Sequence, residues 1–390
     1  MMERSKCMNI PKVRFHGFKE KWREESLSKL FVERHEISTI TESLPQLSFT
    51  ISEGVIYPDD RKSNKRDFLI KDILSKKYLI TCVGDILYNP ANVIYGAIHR
   101  NSLCDGVVSP IYKIFKTEQD SNFMECVVRN PSFISQLSMK TEGTVTKLKT
   151  LKPESFLEMI VKIAPSIYEQ RKIASYFQTL DSLIQTTSKK LASLKQIKAA
   201  SLQSMFPREG ETVPKVRFKG FEERWLLMKI NDVCKQSTSR LSENSLGPNA
   251  GNYAVYGANG YLQNITTYDY DCPYIGIIKD GSGAGRSRLY PKYSSIIGTM
   301  QYIIPKETIN IEFLAYLFET INFTKFIIGS SIPHIYYKNY CENIVPIPSY
   351  NEQQKIGAYF RNLDRQISLQ TQRLEKLKQI KAACLDKMFV

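Results

Sequence analysis

The sequence predicts a tandem duplication in which a mixed α/β body is followed by a long helix and the same order is then repeated. The first observation is that residues 169–206 align without gaps to residues 352–389, with 20 identities in 38 positions. The second is a short arm, PKVRFHGFKEKW from Pro11, which returns as PKVRFKGFEERW from Pro214. The order arm, body, helix, arm, body, helix is that of a duplicated chain.

The repeated segment has the spacing of an amphipathic helix. Its apolar residues recur in alternating steps of four and three with one gap, which Thr187 fills in the first copy and Gln370 in the second. We call these apolar residues the seam: Ile173, Phe177, Leu180, Ile184, Leu191 and Leu194, then Ile356, Phe360, Leu363, Ile367, Leu374 and Leu377. A 3.5-residue repeat is typical of helices that pack on a partner helix, and a polar residue within it fixes the register.

Each long helix is expected to begin after a proline, Pro165 in the first copy and Pro348 in the second. The 38 residues of one copy would span ~57 Å as a helix. If a pseudo-twofold axis mirrors the duplication, the two helices form an antiparallel coiled coil that carries one body near each end. The alternative is that each helix packs only on its own body. The length of the helix, its repetition and the seam favour the first interpretation, in which the paired helices act as a spacer between the bodies.

Both bodies have the pattern of a mixed α/β fold. In the first, KKYLITCVGDILYNP predicts two strands around a tight Gly84–Asp85 turn, and GVVSPIYKIF predicts another strand. In the second, PYIGIIKDGSGAGRSRLYP predicts a strand, a glycine loop and a strand, and a helix is expected afterwards in each body, at 122–129 and 311–322. The predicted boundaries are 1–160 for the first body with its arm, 161–225 for the central helix and repeated arm, 226–345 for the second body and 346–390 for the last helix.

Composition narrows the class of protein. The 390 residues suffice for two to three domains, and no apolar run reaches the ~20 residues of a membrane span. The first twelve residues, MMERSKCMNIPK, lack the apolar stretch of a secretory signal. The eight cysteines form no C-x-x-C pair and the four histidines are isolated, which indicates neither a zinc site nor a disulfide framework. We therefore expect a reduced, cytoplasmic protein without a membrane partner.

The net charge of +15 favours a polyanionic partner. Residues 1–24, 169–206 and 352–390 each carry +4, whereas the bodies at 25–150 and 226–345 each carry about +1. The excess therefore lies on the repeated segments, and a nucleic-acid surface on the bodies must be local. The alternative for the helices is a solvated, lysine-rich face.

Motifs for catalysis are incomplete. NPAN at 89–92 lacks the second proline and the aromatic residue of an amino-methyltransferase motif, and GSGAG at 281–285 is a lone glycine cluster. PDDRK at 58–62 crowds the acidic groups of a nuclease into one turn, and the chain has no phosphate-binding G-x-x-x-x-G-K-[ST] loop. We predict no catalytic centre and no metal site in this chain.

Two basic or glycine-rich loops and several asparagines are the candidates for contact with double-stranded DNA. Glycines allow backbone N–H groups to approach a phosphate, arginine and lysine pair with guanine, and asparagine pairs with adenine. The candidates are Arg61, Lys62, Lys65, Arg66, Asn92, Asn101, Asn259, Lys279, Gly281, Gly283, Gly285, Arg286 and Arg288.

The chain resembles the specificity subunit of type I restriction–modification enzymes over nearly its whole length. The resemblance rests on the duplicated helix entry P-x-x-x-E-Q…I-x-x-Y/F-F…L-D, at 165–181 and 348–364, and on the paired PKVRF arms. YAVYGANGY at 253–261 followed by GSGAG also resembles a segment of that family's recognition domains.

The resemblance implies a non-catalytic subunit with two target-recognition domains held apart by two antiparallel helices. Each domain would read one half of a bipartite, asymmetric DNA site, and the helices would set the gap. Two methyltransferase subunits would bring S-adenosylmethionine, and two restriction and translocation subunits would bring ATP and Mg²⁺. This chain would bind no cofactor itself. The alternatives are a non-catalytic coiled-coil adaptor and a DNA-binding protein of another duplicated family.

Overall fold

The computed structural model describes residues 9–60, 76–141, 150–329 and 331–389. The chain divides into two compact units. Unit 1 comprises Met1–Thr186 and Leu374–Val390, and unit 2 comprises Thr187–Arg373. Each of the two long helices therefore contributes residues to both units.

Unit 1 combines short strands with helices of unequal length. Its strands are β1 (Arg23–Ser26), β2 (Val32–Glu33), β3 (Ile37–Ser38), β4 (Ser48–Thr50), β5 (Gly54–Ile56), β6 (Tyr78–Thr81), β7 (Ile86–Tyr88), β8 (Ile98–Arg100), β9 (Gly106–Val108), β10 (Lys113–Lys116) and β11 (Ile160–Ile163). Its helices are α1 (Leu27–Leu30), α2 (Ser121–Val128), α3 (Pro131–Lys140), α4 (Pro153–Leu157) and the first half of α5 (Ile167–Met205).

Unit 2 also combines short strands with helices of unequal length. Its strands are β12 (Leu226–Lys229), β13 (Cys234–Thr238), β14 (Tyr253–Gly257), β15 (Gly260–Ile265), β16 (Tyr274–Ile278), β17 (Ser287–Tyr290), β18 (Ser294–Ile296), β19 (Met300–Pro305) and β20 (Ile344–Ile347). Its helices are α6 (Ile230–Val233), α7 (Ile311–Thr320), α8 (Tyr337–Tyr340) and most of α9 (Tyr350–Met388).

The main sheets of the two units share one strand order despite their unlike sequences. That order is β2-β10-β7-β8 in unit 1 and β13-β19-β16-β17 in unit 2, antiparallel throughout. In each unit a helix, α2 or α7, packs on the last strand of this sheet. The second sheets differ, because β6 pairs antiparallel with β9 whereas β14 pairs parallel with β18. The bodies are thus related in their central sheet and diverge around it.

The predicted mixed α/β character is confirmed, with one correction in the first body. The Gly84–Asp85 turn is present, with Gly84 at φ +100°, but the flanking strands β6 and β7 belong to different sheets. GVVSPIYKIF forms two strands, β9 and β10, because a turn from Ser109 to Tyr112 separates them. The local pattern located the strand-forming segments but gave neither the break between β9 and β10 nor the sheet partners.

The long helices begin where the prolines predict, and their first turns are part of the body cores. In unit 1, Ile173, Phe177 and Leu180 of α5 pack with the buried Trp22 and Phe123. In unit 2, Ile356, Phe360 and Leu363 of α9 pack in the same way with Trp225 and Phe313. The first half of each seam therefore holds its helix to a body, as the alternative interpretation expected for the whole helix.

Within each unit the two helix segments also run antiparallel. In unit 1, the Tyr176 hydroxyl lies 3.4 Å from the Cys384 Sγ, and Asp181 pairs with Lys381. In unit 2, the Ser201 hydroxyl lies 3.0 Å from that of Tyr359, and Lys198 pairs with Asp364 at 2.9 Å. A higher number on one helix meets a lower number on the other, so both predicted functions of the seam are combined in one helix.

Most seam residues are buried. Ile184, Ile367 and Leu377 are half-buried, and the other nine are buried. Thr187, the polar residue in the gap of the first copy, is itself only 5% exposed, whereas Gln370 is half-buried.

An ion pair joins each arm to the start of a long helix. In unit 1, Arg14 Nε lies 2.6 Å from Glu169 Oε1, and Arg14 Nη2 lies 2.8 Å from Glu169 Oε2. In unit 2, the corresponding distances between Arg217 and Glu352 are 2.7 and 2.8 Å. Both carboxylates are 1% exposed. The bidentate geometry makes each pair a strong and specific clamp.

The glutamine that follows each of these glutamates holds the body. Gln170 accepts a hydrogen bond from the backbone N–H of Asp120, which caps α2, and donates to the Ala164 carbonyl. Gln353 makes the same contacts with Asn310, which caps α7, and with the Pro348 carbonyl. The repeated Glu-Gln pair is thus explained by two adjacent anchors, one for the arm and one for the body.

We predict that Glu169→Ala lowers the free energy of unfolding by about 3–5 kcal/mol, because Arg14 would be left as an unpaired, poorly solvated charge. Glu352→Ala should have the same effect through Arg217. The control is Asp181→Ala, whose carboxylate is 54% exposed and whose loss should cost less than about 1 kcal/mol. Urea denaturation followed by circular dichroism measures all three, and equal losses would show that burial of the clamp does not matter.

Candidate nucleic-acid interface

Candidate residues from both bodies fall on one topological position. The loop between β16 and β17 spans 279–286 and contains Lys279, Gly283 and Arg286, while Arg288 lies on β17. The loop between β7 and β8 spans 89–97 and contains Asn92. Since β7-β8 and β16-β17 are the same edge of equivalent sheets, the structure brings these unlike sequences to corresponding loops.

The β16–β17 loop is a closed turn whose amides are largely used internally. The N–H groups of Gly281, Ala284, Gly285 and Arg286 donate to the carbonyls of Pro333, Gly281, Ile278 and Gly283, at 2.9–3.0 Å. The expectation that the loop glycines present their amides to a phosphate is therefore corrected for Gly281 and Gly285. The backbone of the loop is instead held by these hydrogen bonds.

Two of the loop glycines leave room for specific neighbours. A Cβ on Gly283 would lie 2.3 Å from Arg286 Nη2, so the Arg286 guanidinium rests directly on this glycine. Gly285 has φ +84°, and a Cβ there would lie 2.7 Å from the Cβ of Phe323. The first glycine thus positions an arginine, and the second lets the loop pack against the body.

A cavity of about 710 Å³ in unit 2 brings three candidates together. Asn259, Arg286 and Arg288 all line it, although Asn259 comes from the turn between β14 and β15. Gly276 lies directly across the strand pair from Arg288 and forms part of the wall. The side chains of Asn259, Arg286 and Arg288 belong to exposed residues, so they stand at an accessible surface.

The opposite wall of the cavity comes from the helices. Lys198 of α5 lies 2.9 Å from Asp364 and 3.1 Å from Glu319, and its ammonium stands 5.1 Å from the ring centre of Tyr316. The Tyr316 hydroxyl donates to Asp364 at 2.8 Å. Burial and this carboxylate together raise the pKa of Tyr316, which keeps the phenol protonated. Lys198 is thus neutralised within its own cluster.

The two arginines have no such compensation. Among the residues that the structure describes, neither Arg286 nor Arg288 forms an ion pair with an acidic side chain. Tyr290 lies beside Arg288, and burial raises the pKa of Tyr290 while the arginine opposes the shift. Arg286 and Arg288 therefore carry the available positive charge of the cavity.

Sequence reasoning missed the side chains that complete this region. Lys198, Tyr316 and Asp364 lie on three different helices. Asp364 ends the repeated L-D of the helix-entry motif, but no local pattern places it beside Lys198 and Tyr316. His334 was also missed, although its Nδ1 lies 2.8 Å from Asp280 Oδ1 in the candidate loop. Backbone hydrogen bonds from Gly281 to Pro333 and from Ile335 to Lys279 fasten the two segments together.

Only some of the candidate residues in unit 1 lie in the part of the chain that the structure describes. Arg61, Lys62, Lys65 and Arg66 lie outside the described residues. Asn92 is half-buried at the start of a short 3₁₀ turn, Val93–Tyr95, where its backbone carbonyl accepts hydrogen bonds from Tyr95 and Ala97.

Asn101 has a structural role that corrects its interpretation as a base reader. It is fully buried, its amide nitrogen donates to Thr81 and to the Cys104 carbonyl, and its side-chain oxygen accepts from Leu103. Its donor and acceptor are both used inside the protein.

The described residues contain no group of three or more side chains suited to hold a metal ion. Nor does any helix among them combine the length and apolarity that crossing a membrane requires.

Comparison with known families places these features. Residues 222–379 match the family model of the type I restriction modification DNA specificity domain, so this part of the chain is similar to that domain. The resemblance to type I specificity subunits that the sequence indicated is thereby confirmed.

Solved structures extend the comparison to the whole chain. The S subunit of a type I restriction–modification system from M. genitalium has a TM-score of 0.67 at 14% identity, covering 98% of this chain and 99% of its own. The whole chain therefore has the fold of a type I specificity subunit. Lower scores were found for the HsdS subunit from Thermoanaerobacter tengcongensis, 0.43 at 16% identity with 94% and 96% coverage, and for a chain from a type I R-M assembly, 0.48 at 14% with 96% and 98%.

Replacing the two loop glycines with alanine should have different effects on stability. Gly285→Ala should destabilise the protein by about 1–3 kcal/mol, because it places a side chain at positive φ against Phe323. Gly283→Ala meets only the flexible end of Arg286, so its effect on stability should stay below about 0.5 kcal/mol. Thermal denaturation measures both. A loss for Gly283→Ala as large as that for Gly285→Ala would show that Arg286 is locked in place.

Proposed function

We propose that this chain is the DNA specificity subunit of a type I restriction–modification complex, in which each unit reads one half of a bipartite, asymmetric site. The observation that most directly supports this proposal is that equivalent sheets present loops of unlike sequence at the same edge. A shared frame with different loop side chains is suited to two readers with different targets. The family match over 222–379 supports this for the second unit.

The cavity of unit 2 offers the chemistry of direct base reading. An arginine donates two hydrogen bonds to the O6 and N7 of guanine, and an asparagine can pair with the N6 and N7 of adenine. Arg288 and Asn259 stand at one exposed surface, and Arg286 is positioned beside them by Gly283. Arg286 and Arg288 also provide the positive charge that phosphates require.

The long helices and the partner subunits complete the proposal. The helices set the gap between the half-sites and recruit two methyltransferase subunits, and two restriction and translocation subunits join them. S-adenosylmethionine, ATP and Mg²⁺ belong to those partners. The proposal keeps the predicted boundaries. The recognition domains span 1–160 and 226–345, and the helix segments lie between and after them.

The function is tested by affinity for single-base variants of the target at two salt concentrations. Arg288→Ala should cost about 1–3 kcal/mol and relax one position of one half-site if Arg288 pairs with guanine. If it contacts a phosphate, all sequences should bind more weakly and the salt slope should fall by about one.

The matched control is Lys235→Ala, which removes an exposed cation from the opposite edge strand of the same sheet, β13. It should leave specificity unchanged. If the complex binds DNA without any sequence preference, the adaptor interpretation replaces the proposal. If the wild-type complex binds DNA with sequence preference but Arg288→Ala changes neither its affinity nor its specificity, the base-reading residues lie elsewhere on unit 2.

A second test concerns the gap. Inserting one heptad into α5 between Thr187 and Leu191 preserves the seam and should shift the separation by ~10 Å, or ~3 base pairs. Both half-site sequences should stay the same, because the loops are untouched. Methylome sequencing of cells carrying the variant reports both quantities, and changed half-sites would mean that the helices themselves read DNA.

A further inference from the structure

His334 stands beside the candidate loop of unit 2 on a segment whose side chains alternate between core and surface. Ile335 is fully buried, whereas Ile332 and Tyr336 on either side are 59% and 40% exposed. The side chain of His334 belongs to the outward set and is 34% exposed. The four histidines of the sequence are His16, His35, His99 and His334. Since unit 2 spans Thr187–Arg373, His334 is the histidine of that unit.

The backbone holds this segment without help from the side chain of His334. The N–H and carbonyl groups of His334 exchange two hydrogen bonds with those of Ile328, both at 2.8 Å. Two further backbone hydrogen bonds, described above, fasten the segment to the candidate loop and set His334 opposite Asp280 in an antiparallel bridge. A Cβ on Gly329 would lie 3.4 Å from His334 Cδ2, so this neighbour brings no titratable side chain.

The contact with Asp280 determines which ring nitrogen of His334 is available. Nδ1 lies 2.8 Å from Asp280 Oδ1, and because an ionised carboxylate only accepts hydrogen bonds, Nδ1 carries a hydrogen. Nε2 forms no hydrogen bond with any residue in the described part of the chain. It is therefore an acceptor in the neutral ring and a donor in the protonated ring.

The charged and titratable groups around His334 come from the loop and from its own segment. On the loop, Lys279 lies 3.7 Å from Asp280. On the segment, the ring of Tyr336 is nearly parallel to that of His334, at 10° with the centroids 6.3 Å apart, and the Lys338 ammonium stands 5.8 Å from the centre of the Tyr336 ring. Of these residue types, histidine is the one that ordinarily changes its charge between pH 5 and 8.

Nε2 of His334 has the chemistry of a base-reading atom. In the major groove, adenine and cytosine present amino groups to an acceptor, whereas guanine presents the acceptors N7 and O6 to a donor. A neutral His334 therefore suits adenine or cytosine, and a protonated His334 suits guanine. The exposed Lys338 adds a positive charge of the kind that binds phosphate.

We propose that His334 is a further specificity-determining residue of unit 2, and that its protonation changes the base preferred at one position of one half-site. This rests on the proposed function, in which unit 2 reads a half-site, and it adds a regulation of that site by pH. Asp280 is a positioning residue, because it decides which nitrogen of His334 faces the DNA.

The test measures the affinity of the chain, assembled with its methyltransferase subunits, for duplexes that carry the site found by methylome sequencing and each of its single-base variants. Measurements are made at about pH 5.5 and about pH 8, which bracket the titration of histidine. His334→Asn keeps an amide nitrogen near the place of Nδ1 and removes the outward nitrogen. His334→Gln keeps an outward polar group that does not titrate. The control, His35→Asn, makes the same substitution at a histidine of unit 1 whose side chain is 76% exposed.

In the wild type, one position should favour adenine or cytosine over guanine by about fivefold at the higher pH, and this ratio should fall by about fivefold at the lower pH. His334→Asn should lose the preference at both pH values. His334→Gln should keep a preference at that position that does not depend on pH, and the control should match the wild type. Thermal denaturation at both pH values checks that every variant folds.

The inference is overturned if His334→Asn leaves the base preference at every position unchanged, or if the pH dependence persists in His334→Gln; the proposed function then still stands. Equal weakening of binding to all sequences by His334→Asn would mean that His334 contacts a phosphate, which also overturns the inference. A wild-type complex that binds DNA without sequence preference would contradict the proposed function instead.

Discussion

The structure depends on a buried ion pair that occurs once in each unit. Glu169 and Glu352 are both 1% exposed, and each is held by two hydrogen bonds from an arm arginine. An unpaired carboxylate at such a position would cost several kcal/mol. The long helix can therefore carry this glutamate in its first turn only where the arm is in place. Through the adjacent glutamine the same turn also fixes the body, so three segments distant in sequence meet at one point.

This clamp separates the parts of each unit that must agree from the parts that are free to differ. The arm, the helix start and the strand order of the central sheet are the same in both units, and the two arginine–glutamate contacts agree within about 0.1 Å. The loops at the free edge of the sheet do not contribute to the clamp. One carries a proline and asparagines at 89–92, the other glycines, lysine and arginines at 279–288. Readers of different sequences can therefore be built on one frame.

The features that were predictable from the sequence are those encoded locally. The duplication follows from identity, the long helices from the spacing of the seam, and the β16–β17 hairpin from its glycine loop. Sheet partners were not predictable, since β6 and β7 are neighbours in the chain but lie in different sheets. The cavity was only half predictable. Its loop arginines stand in a recognisable motif, whereas Lys198 and Asp364 are 166 residues apart and meet only because α5 and α9 pack together. Asn101 shows the converse error, since an asparagine in a polar loop gives no local sign that it is buried.

Charge explains why two readers on one chain are needed for the proposed function. Each body has a net charge of about +1, and in the unit 2 cavity two carboxylates neutralise Lys198, which leaves Arg286 and Arg288. Two cations release few counterions, so the nonspecific affinity of one body for DNA should be low and readily screened by salt. A single body could then distinguish between DNA sequences, but it would bind its site too weakly to occupy it. Linking two such readers makes the second contact intramolecular and can raise affinity by about 10²–10⁴ without new contacts, provided that both half-sites lie at the separation the chain allows. The gap then becomes part of the recognised sequence, and a long helix, which resists bending, is a suitable element to define it.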